Sequence, residues 1–354
     1  MVKCFTMILV IVGHCSYYSF AVTTYGGISY LGEDDERCQA FKLIAYAVGF
    51  IYYFHMPLFM FISGLCFSLG KGRPVGFVSF AKKKARRLLV PFLLTTTFLS
   101  VPLKYFTGYW SESANVLRDV FLGQYLAMGN THLWFVMALF GIMLVAFAIE
   151  RLRIKKGFLF WAALLVASWV GQKASIALPW SMFLCAAKVL QYLVYFELGV
   201  CCMPKLKEVE VSSPALAASF VGMGLFFILR LKADSLGIPG IVNNYPLATV
   251  AALWGTFNMV FLSKKIYAAT RLAVNPLYQA FSRNSYELYL FSDPFNYVII
   301  ALLIGVWGSG VFTVGALSVA LFAIRLFGTS ALAFLVVWMV GVVRSRFLRP
   351  LFKL

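Results

Sequence analysis

Residues 132–149 read HLWFVMALFGIMLVAFAI, eighteen positions without an acid, a lysine or an arginine, and Glu150, Arg151, Arg153, Lys155 and Lys156 follow directly. A helix needs roughly 20 apolar residues to cross a hydrocarbon core of about 30 Å, and this stretch comes close to that length before the charges begin. Similar runs recur on both sides of it, at 2–21, 42–69, 88–108, 157–173, 181–203, 212–231, 246–263, 285–306 and 318–343. The pattern predicts an all-α, polytopic integral membrane helix bundle of about ten transmembrane helices. One membrane domain accounts for residues 1–354, with no soluble module attached.

Composition excludes a water-soluble fold. The chain is 62% hydrophobic and 12% charged, with a mean hydropathy of +0.85, whereas a soluble domain carries about 25% charged residues. The net charge of +18 could suggest nucleic acid, but the cations sit in short clusters between apolar runs. That is the arrangement of cytoplasmic loops in an oriented membrane protein. The clusters are Lys71, Arg73, Lys82, Lys83, Lys84, Arg86 and Arg87; Arg151 to Lys156; Lys205 and Lys207; Lys264, Lys265, Arg271 and Arg283; and Arg344, Arg346, Arg349 and Lys353. With Lys3 they hold 22 of the 31 lysines and arginines. The opposite side carries Glu33, Asp34, Asp35, Glu36, Glu112, Asp119 and Asp234. Both termini are therefore expected in the cytoplasm. Arg325, counted back from Arg344, falls near the outer interface and is expected to snorkel. The residues before it are expected along the outer surface. The seven cysteines give neither a disulfide framework nor a metal-type spacing.

The polar residues inside the apolar runs are the candidates for chemistry. There are three histidines: His14 in the first run, His55 in the second and His132 at the outer lip of the fourth. A titratable side chain at membrane depth normally faces the bundle interior and marks a site or a pathway; a histidine bonded to a neighbouring helix for packing is the competing reading. Lys3 and His14 lie eleven residues apart. That spacing puts them within about 20° of one helix face and about 16 Å apart along the axis. In the second run, Pro57 leaves the carbonyl of Tyr53 without its helical donor, so a kink beside His55 is expected. Ser63-Gly64 reads as close helix packing or as a nucleophile, with packing favoured. In the ninth run Tyr289, Asp293, Asn296 and Tyr297 share a face. A carboxylate there is costly unless paired, and the histidines are its candidate partners. Glu197 and Lys188, nine residues apart on one helix, face opposite ways and read as interfacial.

Four motifs in order along most of the chain resemble the acyltransferase family 3 membrane proteins, which include bacterial O-acetyltransferases of surface polysaccharides. They are Lys3 through His14; Tyr53-Phe54-His55-Met56-Pro57 with Phe61-Ile62-Ser63-Gly64; Arg86-Arg87-Leu88-Leu89-Val90-Pro91-Phe92; and His132-Leu133-Trp134-Phe135. The chain departs from that pattern in having only two residues ahead of Lys3, and in carrying Ser292-Asp293-Pro294 where a histidine often follows the Tyr-Leu pair. The resemblance implies an O-acyltransferase of a bacterial cell membrane, moving an acyl group, acetyl above all, from acetyl-CoA to a hydroxyl of a cell-surface glycan or glycolipid. It needs no metal and no nucleic acid, and a homo-oligomer stays open. His14 becomes the base or acyl carrier, with His132 and Asp293 assisting. Lys3, Arg86 and Arg87 become the holders of the CoA phosphates, and His55, Ser63, Trp134, Tyr289 and Asn296 line the site. A transporter or flippase using the buried histidines and acids as a relay, and a silent scaffold, are the competing readings.

Overall fold

The computed structural model describes residues 2–16, 18–31, 36–70, 76–129, 131–206 and 208–343. Its elements are α1 (Val2–His14), a hairpin of β1 (Ser19–Thr23) and β2 (Gly26–Ser29), then α2 (Gln39–Ser68), α3 (Phe77–Phe106), α4 (Trp134–Arg151) and α5 (Phe158–Ala177). They continue through α6 (Ala186–Leu206), α7 (Ser213–Leu231), α8 (Gly240–Ala269), α9 (Pro276–Arg283), α10 (Ser285–Trp307) and α11 (Gly315–Val343). Among the described residues nine helices are long and apolar enough to cross a membrane: α2 to α8, α10 and α11. The chain is a polytopic helical membrane bundle.

The first apolar run is the main departure from expectation. The helix predicted over 2–21 stops at His14, and its 13 residues reach only about 20 Å. Ser16 ends it by bonding back to the Gly13 carbonyl with both its N–H, at 3.2 Å, and its hydroxyl, at 3.0 Å. Such local bonds compete with continued helix. The chain then enters the β1–β2 hairpin, whose turn needs Gly26 at φ +104°, a conformation open to glycine because it has no Cβ. His14 is thus the last residue of a short helix rather than a mid-helix residue.

Proline shapes the second long helix as its chemistry requires. α2 is interrupted at Tyr53–Phe54, where Phe54 sits at φ −131°, ψ −16°. The interruption falls at the carbonyl four residues before Pro57, the group a proline cannot pair with and clashes against.

Glycine sets the closest helix crossing. A Cβ on Gly64 of α2 would collide with the carbonyl of Phe196 on α6, and one on Gly199 would collide with that of Phe61. The two backbones approach as near as they do because neither position carries a side chain. Packed beside this pair, α1 lies against α2, α8 and α10. It buries Cys4, Met7, Val10 and Ile11 and leaves Lys3 exposed.

Two expectations about the last run are corrected. Arg325 does not snorkel: its residue exposure is 0%. Val311 and Phe312, in the short helix ahead of α11, are buried against Tyr18 and Phe41 rather than laid along a surface. Glu197 is fully buried, 2.6 Å from Lys156 Nζ in the basic connection between α4 and α5. Lys71, Arg73, Lys207 and the tail cations Arg344, Arg346, Arg349 and Lys353, with Glu33, Asp34 and Asp35, lie outside the described residues.

Candidate active site

One face of α10 gathers the polar groups. Tyr289, Asp293, Asn296 and Tyr297, spaced by three to four residues, are all nearly or wholly buried, as the helical period requires of positions on a single stripe. Pro294 stands beside Asp293 inside the helix.

Two histidines from distant parts of the chain meet Asp293. His14 Nδ1, at the end of α1, lies 2.8 Å from Asp293 Oδ1. His132 Nδ1, two residues ahead of α4, lies 3.3 Å from Oδ2. The rings of His14 and His132 are edge to face with centroids 6.4 Å apart. His132 Nε2 is 3.2 Å from the Leu290 carbonyl, and the Tyr289 hydroxyl donates to the His132 carbonyl, so α10 also fixes the loop that carries this ring. With 4% of its side chain exposed, the carboxylate divides its two oxygens between the two imidazoles.

The contact brings Nδ1 of His14, rather than Nε2, to the carboxylate. A proton on Nδ1 facing the carboxylate puts the ring's lone pair on Nε2, the arrangement in which an acid orients an imidazole as a base. His14 keeps 20% of its side chain exposed, against 2% for His132. Of the two rings, that of His14 is the more exposed.

Two cations flank the cluster. Arg325, on α11, bonds the His14 carbonyl through Nη2 at 3.0 Å and Asn296 Oδ1 through Nε at 3.2 Å. Its guanidinium also lies over the Tyr18 ring, 5.2 Å from the centroid. Lys104, 0% exposed, donates to Gln124 Oε1 at 3.1 Å and lies over the rings of Tyr109 and Tyr297, 4.6 and 5.0 Å from their centroids. The sequence pattern singles out no role for Lys104 and places Arg325 near the outer interface. A signal for Arg325 exists in the sequence: Ser318 and Thr329 fall on its face of α11, and both are fully buried. Such a polar stripe on an apolar helix marks a face turned to protein.

The other predicted residues divide. His55 is buried, its ring 4.3 Å from that of Tyr52, which packs against Gly13 beside His14. Ser63 donates to the Phe59 carbonyl of its own helix at 2.9 Å. Trp134 packs in a tilted pair with Tyr192 at 5.5 Å and takes Lys188 over its ring. Lys3, Arg86 and Arg87 are exposed, with Lys3 at the far end of α1 from His14. Arg87 is followed by Leu88, whose carbonyl accepts from the Tyr286 hydroxyl of α10 at 3.3 Å. A separate cavity of about 350 Å³ is lined by Glu150, Arg153, Lys156 and Cys201 and shares no residue with the histidine cluster.

A buried carboxylate beside two imidazoles, set in a helical bundle with nine membrane-length helices among the described residues, is the chain's candidate active site. Residues 1–342 match a family model described as an acyltransferase domain, and the chain belongs to that family of membrane acyltransferases. No curated protein and no solved structure matches the chain.

Proposed function

We propose that this acyltransferase moves an acetyl group from cytoplasmic acetyl-CoA to a hydroxyl of a cell-surface glycan or glycolipid in a bacterial cell membrane. The observation that carries this reading is the contact of His14 Nδ1 with Asp293, which leaves Nε2 as the basic nitrogen at the more accessible ring of the cluster. In the transfer step His14 removes the proton from the acceptor hydroxyl while that oxygen attacks the thioester carbonyl. A carbon–oxygen bond forms, the carbon–sulfur bond breaks, and the proton held by His14 passes to the departing CoA thiolate. Asp293 keeps the imidazole turned toward the acceptor and offsets the charge it gains. His132, with Nε2 turned to the Leu290 carbonyl, sets its Nδ1 beside the second oxygen of the carboxylate.

Lys3, Arg86 and Arg87 supply the cationic edge for the CoA phosphates. The guanidinium groups suit bidentate contacts with phosphate. His14 lies about 16 Å along α1 from Lys3, a separation that the pantetheine arm bridges to bring the thioester to the ring.

The test is acetyl-CoA turnover by the purified protein in lipid, followed as free thiol release, for wild type and His14→Ala. Thiol release by wild type and none by a folded His14→Ala supports the reading. A folded wild type that neither binds nor consumes acetyl-CoA with candidate glycans present removes it.

A further inference from the structure

α1 is a short helix whose last residue carries the imidazole on which the proposed chemistry depends, so something must fix that end of the chain. Helix ends leave their final carbonyls without helical donors. In α1 the Ile11 carbonyl is taken by the Cys15 N–H at 3.1 Å and the Gly13 carbonyl by Ser16. The His14 carbonyl is taken by a side chain from the other end of the chain, Arg325 of α11.

We propose that Arg325 is a positioning residue for His14, working with Asn296 as a clamp; this rests on His14 acting as the base. Asp293 and Asn296 stand one turn apart on the buried face of α10. Asp293 holds the His14 imidazole directly, and Asn296 holds the His14 main chain through Arg325, whose Nε bonds Asn296 Oδ1 while Nη2 bonds the carbonyl. One helix face therefore grips one residue at both side chain and backbone. Two grips fix the direction of the ring, where one would leave it a pivot. A single guanidinium spans both acceptors because its donors diverge in a rigid fork, which an ammonium cannot reproduce. The helix C-terminus also favours a cation at this point. Thr329, one turn below on α11, bonds the Arg325 carbonyl at 2.7 Å, and the Tyr18 ring covers the guanidinium, so the clamp is itself held.

Displacing a reacting group by about 1 Å costs on the order of 100-fold in rate. Arg325→Lys is therefore expected to lower kcat for acetyl-CoA turnover by about 30- to 100-fold while KM for acetyl-CoA moves less than about threefold. Asn296→Asp keeps an acceptor for Arg325 and is expected to retain at least about tenfold more activity than Asn296→Leu, which removes it. A second readout does not depend on turnover. Diethyl pyrocarbonate labels imidazole, and with three histidines in the chain peptide mass spectrometry separates His14 from the buried pair. Labelling of His14 is expected to quicken at least about threefold in Arg325→Lys at an unchanged melting temperature, as the ring swings from the carboxylate.

The clamp is overturned if Arg325→Lys keeps wild-type kcat and wild-type His14 labelling. It is also overturned if activity is lost only together with a collapse in melting temperature, which a merely structural arginine produces. If His14→Ala turns acetyl-CoA over normally, the reading of the site is what fails, and the labelling comparison still decides whether Arg325 holds the ring.

Discussion

Asp293 and His14 stand 2.8 Å apart, carboxylate oxygen to Nδ1, although one lies near the start of the chain and the other in its second-to-last long helix. The contact joins a short helix that ends in the bundle to a long one that crosses it. In the proposed mechanism Asp293 is the residue that decides which imidazole nitrogen is basic. Asp293→Asn keeps the volume and removes the charge that orients the ring. Its kcat for acetyl-CoA turnover is expected to fall by about 10²- to 10⁴-fold, with circular dichroism unchanged. Activity within tenfold of wild type would separate the carboxylate from the chemistry.

The crossing of α2 and α6 depends on Gly64 and Gly199, each of which faces the other helix's backbone. Gly64→Ala or Gly199→Ala alone forces the helices apart and is expected to cost at least about 1–3 kcal/mol. Thermal unfolding in detergent reads this directly. Gly224, with open space around its Cβ position, provides the control substitution, expected to leave the transition in place.

Ser63 sits beside that crossing with its hydroxyl spent on the Phe59 carbonyl. Ser63→Ala is expected to leave acyl-CoA turnover unchanged and stability within about 0.5 kcal/mol. A hundredfold loss would make the hydroxyl a nucleophile after all.

Lys156 lies 2.7 Å from Glu150 Oε1 and 2.6 Å from Glu197 Oε2. Removing it takes a cationic partner from the fully buried Glu197 carboxylate. Lys156→Met is expected to destabilise by about 3 kcal/mol, and the double variant with Glu197→Gln to recover most of that loss. Burial works against the Lys156 charge, but its two carboxylate partners outweigh it and hold the ammonium above the usual lysine value. A raised folded value means that the contribution is complete below about pH 10.5. It is lost as pH climbs through the elevated value. A pH series of melting temperatures should therefore show no loss from this pair across neutral pH.

Arg86 and Arg87 are exposed about the third turn of α3. With both changed to Gln, KM for acetyl-CoA is expected to rise about tenfold, equivalent to about 1.4 kcal/mol of binding, with kcat within about twofold. Raising salt should erode the wild-type advantage. An unchanged KM would leave these arginines with membrane orientation alone.

Much of the architecture is legible in the sequence. Helix length, apolar continuity and the basic clusters are local properties, and they suffice for a polytopic helical bundle and nearly all of its spans. The break in α2 follows from Pro57. The polar stripe on α10 follows from its period, and the cost of a buried carboxylate already names the histidines as partners for Asp293. The four ordered motifs point to the acyltransferase family that the match over residues 1–342 establishes.

Hydropathy measures how long an apolar run is, and it cannot tell helix from hairpin inside that run. The first run therefore reads as a full span, although Ser16 ends its helix at His14. Nor does counting residues along one helix reveal what covers it. Distance from the tail puts Arg325 at the interface, and only the packing of α11 on α10 and α1 sets a fully buried guanidinium between Asn296 and the His14 carbonyl. The sequence by itself determined a membrane helix bundle and the residue types available for acyl transfer, because those depend on local composition and spacing. The tertiary structure alone decided which histidine faces which oxygen of Asp293 and what holds His14 there, because rotation and depth of packed helices are set by contacts between residues hundreds of positions apart.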